Sequence, residues 1–80
     1  MYDLKNNVPL CDWRLYNWRG LSKNAAKRIF FNLVRHLSMT RNHPCKIFFR
    51  EERDKPMRGR CQVNIGEFFY YVELFKSAED

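Results

Sequence analysis

One stretch, from Ser22 to Met39, has the helical spacing of apolar residues, and it limits the architectures open to the rest of the chain. Apolar side chains recur there at steps of three and four, which places them on one side of an α-helix. Ser22 is a suitable N-cap, and Pro44 cannot continue a helix. We therefore predict an amphipathic helix over residues 22–40. Its apolar stripe consists of Ala26, Phe30, Leu33 and Leu37, flanked by Ile29 and Val34.

The opposite face of this helix is basic. Lys23 and Lys27 repel each other across one turn, and no acidic residue within the helix offsets them. Arg28 and Arg35 lie on the same side, together with Phe31. An anionic partner would supply the counter-charge, whereas a solvated surface with a basic bias explains the pattern equally well. Phe31 among the cations favours a binding face, and the alternative is a ring covered by the N-terminal segment.

After Pro44 the spacing of apolar residues changes to two, which indicates β-strands. The predicted strands are residues 45–50, 60–65 and 68–75. Residues 51–59 are charged and form an exposed connection. Gly66 and Glu67 separate the last two strands, and a glycine at the first of these positions predicts a two-residue hairpin turn. A helix is the alternative for residues 68–76.

A two-residue turn fixes the register of this hairpin and divides its side chains between two faces. One face is apolar and seats the helix; it carries Ile47, Phe49, Cys61, Val63, Ile65, Phe68, Tyr70, Val72 and Leu74. The other face mixes aromatic rings with cations, whereas the solvent face of a sheet is normally polar. That face carries Lys46, Phe48, Arg50, Arg60, Gln62, Asn64, Phe69, Tyr71, Glu73 and Phe75.

The remaining segments predict less regular structure. Residues 1–11 are expected to be an extended arm, and residues 77–80 a polar tail. Residues 12–18 are rich in aromatic side chains and form either a further strand or a packed irregular arm. We therefore predict a single α+β domain over residues 1–80. It has one helix on a small antiparallel sheet of three strands, to which an N-terminal strand is an optional addition.

The distribution of charge predicts the chemistry of a partner. The formal net charge is +6, and no acidic residue lies between Asp12 and Glu51. Such segregation produces a positive field over one region, which attracts nucleic acid, an anionic membrane or an acidic protein surface. The hydrophobic content of 45% and aromatic content of 16% are too high for a disordered chain.

Rings interleaved with cations on an open sheet suit single-stranded nucleic acid, because bases stack on rings while cations contact phosphates. The candidate binding residues, for nucleic acid or an acidic partner, are Lys27, Arg28, Phe31, Arg35, Lys46, Phe48, Arg50, Arg60, Phe69 and Tyr71. The alternatives are a protein interface, or a second core in which the N-terminal arm or a second copy of the chain covers the rings. RNA-recognition sheets are similar in composition. However, residues 66–75 lack the Lys/Arg-Gly-Phe signature of those sheets, and that fold needs two helices.

The distribution of cysteine and histidine does not predict metal or catalytic chemistry. Cys11, Cys45 and Cys61 are an odd number of thiols, which favours a reducing, cytoplasmic compartment; we expect neither a secretory leader nor a membrane span. With His36 and His43 they lack the paired spacing of zinc ligands, so no metal and no cofactor is expected. We expect Cys45 and Cys61 near opposite ends of adjacent strands. No Ser/His/acid or Cys/His arrangement stands out, so we predict a non-enzymatic protein.

Two functional hypotheses follow. The first is a nucleic-acid-binding module that favours single strands over duplexes, with the helix cations contacting phosphates and the rings stacking on bases. The second is a small interaction module or inhibitor, virus-encoded in one version. It would dock on an acidic or nucleic-acid-binding surface of a larger host complex. A membrane-surface role is disfavoured, because the domain needs the apolar stripe of its helix for its own core.

Overall fold

The computed structural model of the protein describes residues 1–8, 17–41 and 45–78, except the side chains of Thr40 and Arg41. These residues form one helix and five strands. In chain order they are β1 (Tyr2–Asn6), β2 (Trp18–Leu21), α1 (Lys23–Arg41), β3 (Lys46–Arg50), β4 (Arg58–Ile65) and β5 (Phe68–Lys76). The strands pair antiparallel in a single sheet of order β2-β1-β5-β4-β3. The class is α+β as expected, but the prediction of a three-stranded sheet is wrong.

The extended arm predicted at the N-terminus contains a strand instead. Residues 2–6 form β1, which lies inside the sheet between β2 and β5 and places Leu4 opposite Leu74. Leu4 is fully buried. The alternation of apolar and polar residues expected of a strand is not evident in this segment, because the polar residue Asn6 occupies a buried position. Its side-chain Oδ1 accepts a hydrogen bond from the backbone N–H of Val8 at 3.0 Å, which supplies the partner that burial requires.

Five of the seven residues of the optional strand predicted at residues 12–18 lie outside the described residues. Trp18 is the first residue of β2, which continues to Leu21 and pairs irregularly with β1. Gly20 has φ 66°, a conformation that favours glycine, and its N–H donates to Asp3 Oδ1 at 3.1 Å. This glycine therefore lies within a strand, at a backbone conformation that other residues rarely adopt.

The helix α1 begins where its cap was predicted. The backbone N–H of Ala25 donates to Ser22 Oγ at 3.3 Å, as an N-cap requires. The predicted apolar stripe is confirmed, since its four residues are buried and join the strands in one core. That core consists of Leu4, Val8, Ala26, Phe30, Leu33, Val34, Leu37, Met57, Cys61, Val63, Val72 and Leu74. We call the sheet face beneath α1 the inner face.

The register predicted for the hairpin of β4 and β5 is confirmed: Ile65 lies opposite Phe68, and Cys61 lies opposite Val72. Gly66, in the turn, has φ 61°. Two residues predicted to seat the helix are not covered by it, because α1 packs mainly over β1 and β5. Ile47 on β3 is 50% exposed, and Phe68 beside the turn is 66% exposed.

The two described cysteines are closer than expected. Ile47 lies opposite Cys61 in the β3–β4 pairing, so Cys45 is only two residues from that position. The thiols interact, and both are free of disulfide bonds. Burial raises the pKa of Cys61 to about 12, and the neighbouring Cys45 adds to the shift. The expectation of opposite strand ends is therefore wrong, because β4 extends two residues further toward its N-terminus than predicted and shifts the pairing.

Candidate nucleic-acid interface

The face of the sheet opposite α1 carries a row that runs across four strands and combines one ring with three charged side chains. Phe48 on β3 lies opposite Arg60 on β4, and Arg60 lies opposite Glu73 on β5. Glu73 in turn lies opposite Lys5 on β1. We call this surface the outer face. Among the described elements, α1 packs on the inner face and none packs on the outer face.

Two aromatic rings on β5 lie side by side next to this row. Phe69 and Tyr71 are separated by 6.3 Å between ring centroids, and their planes differ by 23°. Phe69 is 48% exposed, and Phe48, across the sheet, is 54% exposed. A depression of about 340 Å³ borders the pair and is also lined by Arg60 and Gln62. Flat apolar groups therefore have access to two neighbouring rings and a cation.

The backbone beneath these rings is held by Asn7, just beyond the end of β1. Its Oδ1 accepts from the N–H of Tyr71 at 2.8 Å, and its Nδ2 donates to the carbonyl of Phe69 at 2.7 Å. Its backbone N–H also donates to the carbonyl of Tyr71 at 3.3 Å. The side chain thus extends the β1–β5 ladder and fixes the two ring-bearing residues. Sequence reasoning missed Asn7, because it placed residues 1–11 in an arm outside the sheet.

Arg60 occupies the centre of the outer face. When the Gln62 amide is oriented with its oxygen toward Arg60, it accepts from Nη2 at 2.6 Å and from Nε at 2.9 Å. Arg60 also borders a second depression, of about 230 Å³, together with Lys46 and Phe48. The guanidinium is therefore held between the two depressions, beside rings on both sides.

The outer face continues over β1 and β2 through residues that sequence reasoning did not include. Lys5 lies over the ring of Phe75, with Nζ 5.7 Å from its centroid. Both residues line a depression of about 510 Å³ with Arg19 and Asp3. Hydrogen bonds from Ser77 and from the backbone of Gly20 lower the pKa of Asp3. The only sequence signal for Lys5 was its period-two position in a short polar strand.

The helix cations form a separate surface on the other side of the sheet. Lys27 Nζ lies 2.8 Å from Glu51, and Lys23 Nζ lies 3.8 Å from the same carboxylate. The hydrogen bond from Lys27 lowers the pKa of Glu51. A loop acid from the β3–β4 connection therefore offsets charge that the sequence appeared to leave uncompensated. Arg28 and Arg35 are exposed on α1.

Phe31 belongs to this helix surface and contacts the core edge. Its ring centroid lies 5.2 Å from that of Phe30 and 4.9 Å from that of Phe49. Lys27 Nζ lies 5.8 Å from the Phe49 centroid. The candidate residues Lys27, Arg28, Phe31 and Arg35 are thus separated by the sheet from Phe48, Arg60, Phe69 and Tyr71.

Arg50, a further candidate residue, folds back on its own connection. Its Nη2 donates to the carbonyl of Pro56 at 3.4 Å, and its Nε is buried without a hydrogen-bond partner. The exposed cations of the outer face on β3 and β4 are Lys46, Arg58 and Arg60, and Arg58 lies directly opposite Arg50.

Within residues 1–8, 17–41 and 45–78, no three His, Cys, Asp or Glu side chains form a group that could hold a metal ion. The described helix lacks the length and apolar character needed to cross a bilayer. No protein family, characterised protein or solved structure matches the chain.

Proposed function

We propose that the protein is a non-enzymatic nucleic-acid-binding module that holds a single strand on the outer face of its sheet. Phe48, Phe69 and Tyr71 stack on bases, while Arg60 and Lys46 contact phosphates. The observation that carries this proposal is the parallel Phe69–Tyr71 ring pair beside Arg60, on a face with no described element packed over it.

The exposed rings favour a ligand with flat apolar groups. Contiguous apolar surface on a small protein commonly marks an interaction site, and here the rings are interspersed with cations. Bases supply flat faces and phosphates supply negative charge at a regular spacing. A single strand fits better than a duplex, because duplex bases are already stacked on one another and are not available to the rings.

The charge of the outer face supports the same ligand. The cations Lys5, Arg19, Lys46, Arg58 and Arg60 lie on strands of this face or line its depressions. Among the described strand residues, its acids are Asp3, which is engaged with Ser77 and Gly20, and Glu73 beside Arg60. The helix cations are not required in this arrangement, so the binding site is smaller than the sequence suggested.

The test is a titration of labelled single-stranded and duplex oligonucleotides, followed by fluorescence anisotropy over a series of salt concentrations. We expect the single strand to bind more tightly, and its affinity to fall linearly with the logarithm of salt as counterions are released. Replacing Arg60 by Gln should reduce that slope by about one. Absence of binding at low salt would overturn the proposal.

The chain offers a matched control for stacking. Phe68 and Phe69 are adjacent exposed rings on β5 that point to opposite faces, and each has a tyrosine two residues further on. Phe69→Ala should weaken binding by about 1–3 kcal/mol, or roughly 5- to 150-fold, whereas Phe68→Ala should leave it unchanged. Equal losses in the two variants, or a greater loss in Arg28→Ala, would place binding elsewhere.

A further inference from the structure

The second surface of interest is a groove between α1 and β3, on the inner side of the sheet. It has a volume of about 470 Å³ and is lined by Phe31, Val34, Arg35, Ser38, Met39, Cys45 and Ile47. Ile47 and Met39 are 50% and 70% exposed, so this apolar surface is open to a ligand. The Phe48 side of the same strand faces the outer surface, and the groove is therefore distinct from the nucleic-acid interface.

The groove runs beside an open sheet edge. β3 is the last strand of the sheet order, and in the described part of the chain it pairs only with β4. Its five residues pair in continuous register, without the bulge or proline that commonly protects an edge strand. An added strand would continue the sheet. Successive side chains of the added strand would alternate, so that one set enters the groove and the other lies on the outer face.

The charge of the edge determines which strand fits. β3 has the sequence KIFFR, with a cation at each end and no acid, and Arg35 lies in the wall of the groove. If the β3 strands of two copies paired antiparallel about Phe48, Lys46 of each copy would lie opposite Arg50 of the other. Like charges in directly opposed positions destabilise strand pairing. The edge therefore disfavours self-association and favours an acidic strand.

We propose that β3 and the α1–β3 groove bind an extended acidic peptide segment of a partner protein by strand addition. Alternate apolar side chains of the peptide contact Ile47, Phe31 and Met39 in the groove. Its acidic side chains lie on the other side of the added strand, beside Lys46, while Arg35 adds positive charge to the wall of the groove. This site goes beyond the proposed nucleic-acid interface and does not depend on it.

The probe is a fluorescein-labelled eight-residue peptide in which glutamate alternates with valine, compared with a peptide in which lysine replaces each glutamate. We expect the glutamate peptide to bind and the lysine peptide to bind at least about tenfold more weakly. Bound peptide should slow amide hydrogen exchange within residues 46–50. Failure of the glutamate peptide to bind at low salt, or equal binding of both peptides, would overturn the proposal.

Arg35 and Arg28 provide matched variants, since both are exposed on α1 but only Arg35 lines the groove. Arg35→Glu should weaken binding of the glutamate peptide about tenfold, because it places a negative charge in the groove wall beside an acidic peptide, while Arg28→Glu should change that binding little. Arg35→Glu should leave oligonucleotide binding unchanged, so the two proposals fail independently. If light scattering shows a dimer that Ile47→Asp abolishes, the groove would belong to a second copy of the chain instead. Loss of oligonucleotide binding in Arg35→Glu would assign it to nucleic acid, and either result would overturn the peptide proposal.

Discussion

The ring of Phe30 lies directly on the backbone of Gly59, so closely that a Cβ at residue 59 would be 2.9 Å from Phe30 Cζ. This contact seats α1 on β4. The Phe30 ring is fully buried and is itself packed against Phe31 and Phe49, so it has little room to move aside.

We therefore predict that Gly59→Ala destabilises the fold by about 1–3 kcal/mol, because overpacking forces the helix or the ring to shift. Urea unfolding followed by circular dichroism measures the change. Phe30→Leu, which removes the crowded atoms, should reduce the effect of the Gly59 substitution in the double variant. Strict additivity of the two substitutions would show that the contact does not position the helix.

Asn7 should contribute to both stability and ligand binding. Asn7→Ala removes two side-chain hydrogen bonds to β5, and we expect a loss of about 1–2 kcal/mol in the free energy of unfolding. Oligonucleotide affinity should fall as well, because the backbone that holds Phe69 and Tyr71 loosens. Asn64→Ala, at an exposed position of β4, is the control and should change stability little. An unaltered affinity in a folded Asn7→Ala variant would separate Asn7 from the interface.

The carboxylate of Asp3, on the interior strand β1, is expected to make the stability of the sheet sensitive to acid. Its carboxylate accepts from Ser77 Oγ at 2.6 Å and from Gly20 N at 3.1 Å, and these bonds lower its pKa below the ordinary value of 3.8. The ionised form is favoured in the folded state. Its stabilising contribution is therefore complete above pH 3.8 and is lost as the pH falls through the lower, folded-state pKa.

Asp3→Asn should consequently lower the urea midpoint at neutral pH and narrow its difference from the wild type as the solution is acidified. Ser77→Ala should also lower the urea midpoint at neutral pH, and its difference from the wild-type midpoint should also shrink as the pH falls. The reason is that the hydrogen bond from the Ser77 hydroxyl is the largest cause of the lowered pKa of Asp3. A constant difference between the proteins from neutral pH to about pH 2 would contradict the assignment.

The two described thiols should react at very different rates. Cys61 is buried and its pKa is about 12, whereas Cys45 is partly exposed at the groove. At pH 8 only roughly one Cys61 in ten thousand is a thiolate, and the thiolate is the reactive form. Iodoacetamide should modify Cys45 in the folded protein and reach Cys61 only on unfolding. Mass-spectrometric peptide mapping checks this, and comparable labelling of both residues would contradict it.

The helix and the second hairpin could be predicted because their signals are local. The apolar stripe of α1 repeats over several turns, and Gly66 sets the register of the strands on either side. Those two elements also placed Phe69 and Tyr71 on the face away from the helix, which is the centre of the candidate interface.

The rest depends on contacts between residues far apart in the sequence. β1 is short and polar at every second position, and Leu4 acquires its environment from Leu74. The pairing of Lys27 with Glu51 joins a helix to a loop whose course no local pattern specifies. For the same reason the sequence did not separate the cations of the helix from the rings of the sheet.

The position of β5 between β1 and β4 has a consequence for how the chain assembles. Leu4 meets its partner Leu74 seventy positions later, so closing the sheet requires a long loop and is expected to be slow for a chain of this size. Until residues 68–76 have been synthesised, β1 lacks its neighbour β5 and the apolar stripe of α1 is only partly covered. Nascent chains should therefore aggregate and be cleaved by proteases more readily than the folded protein.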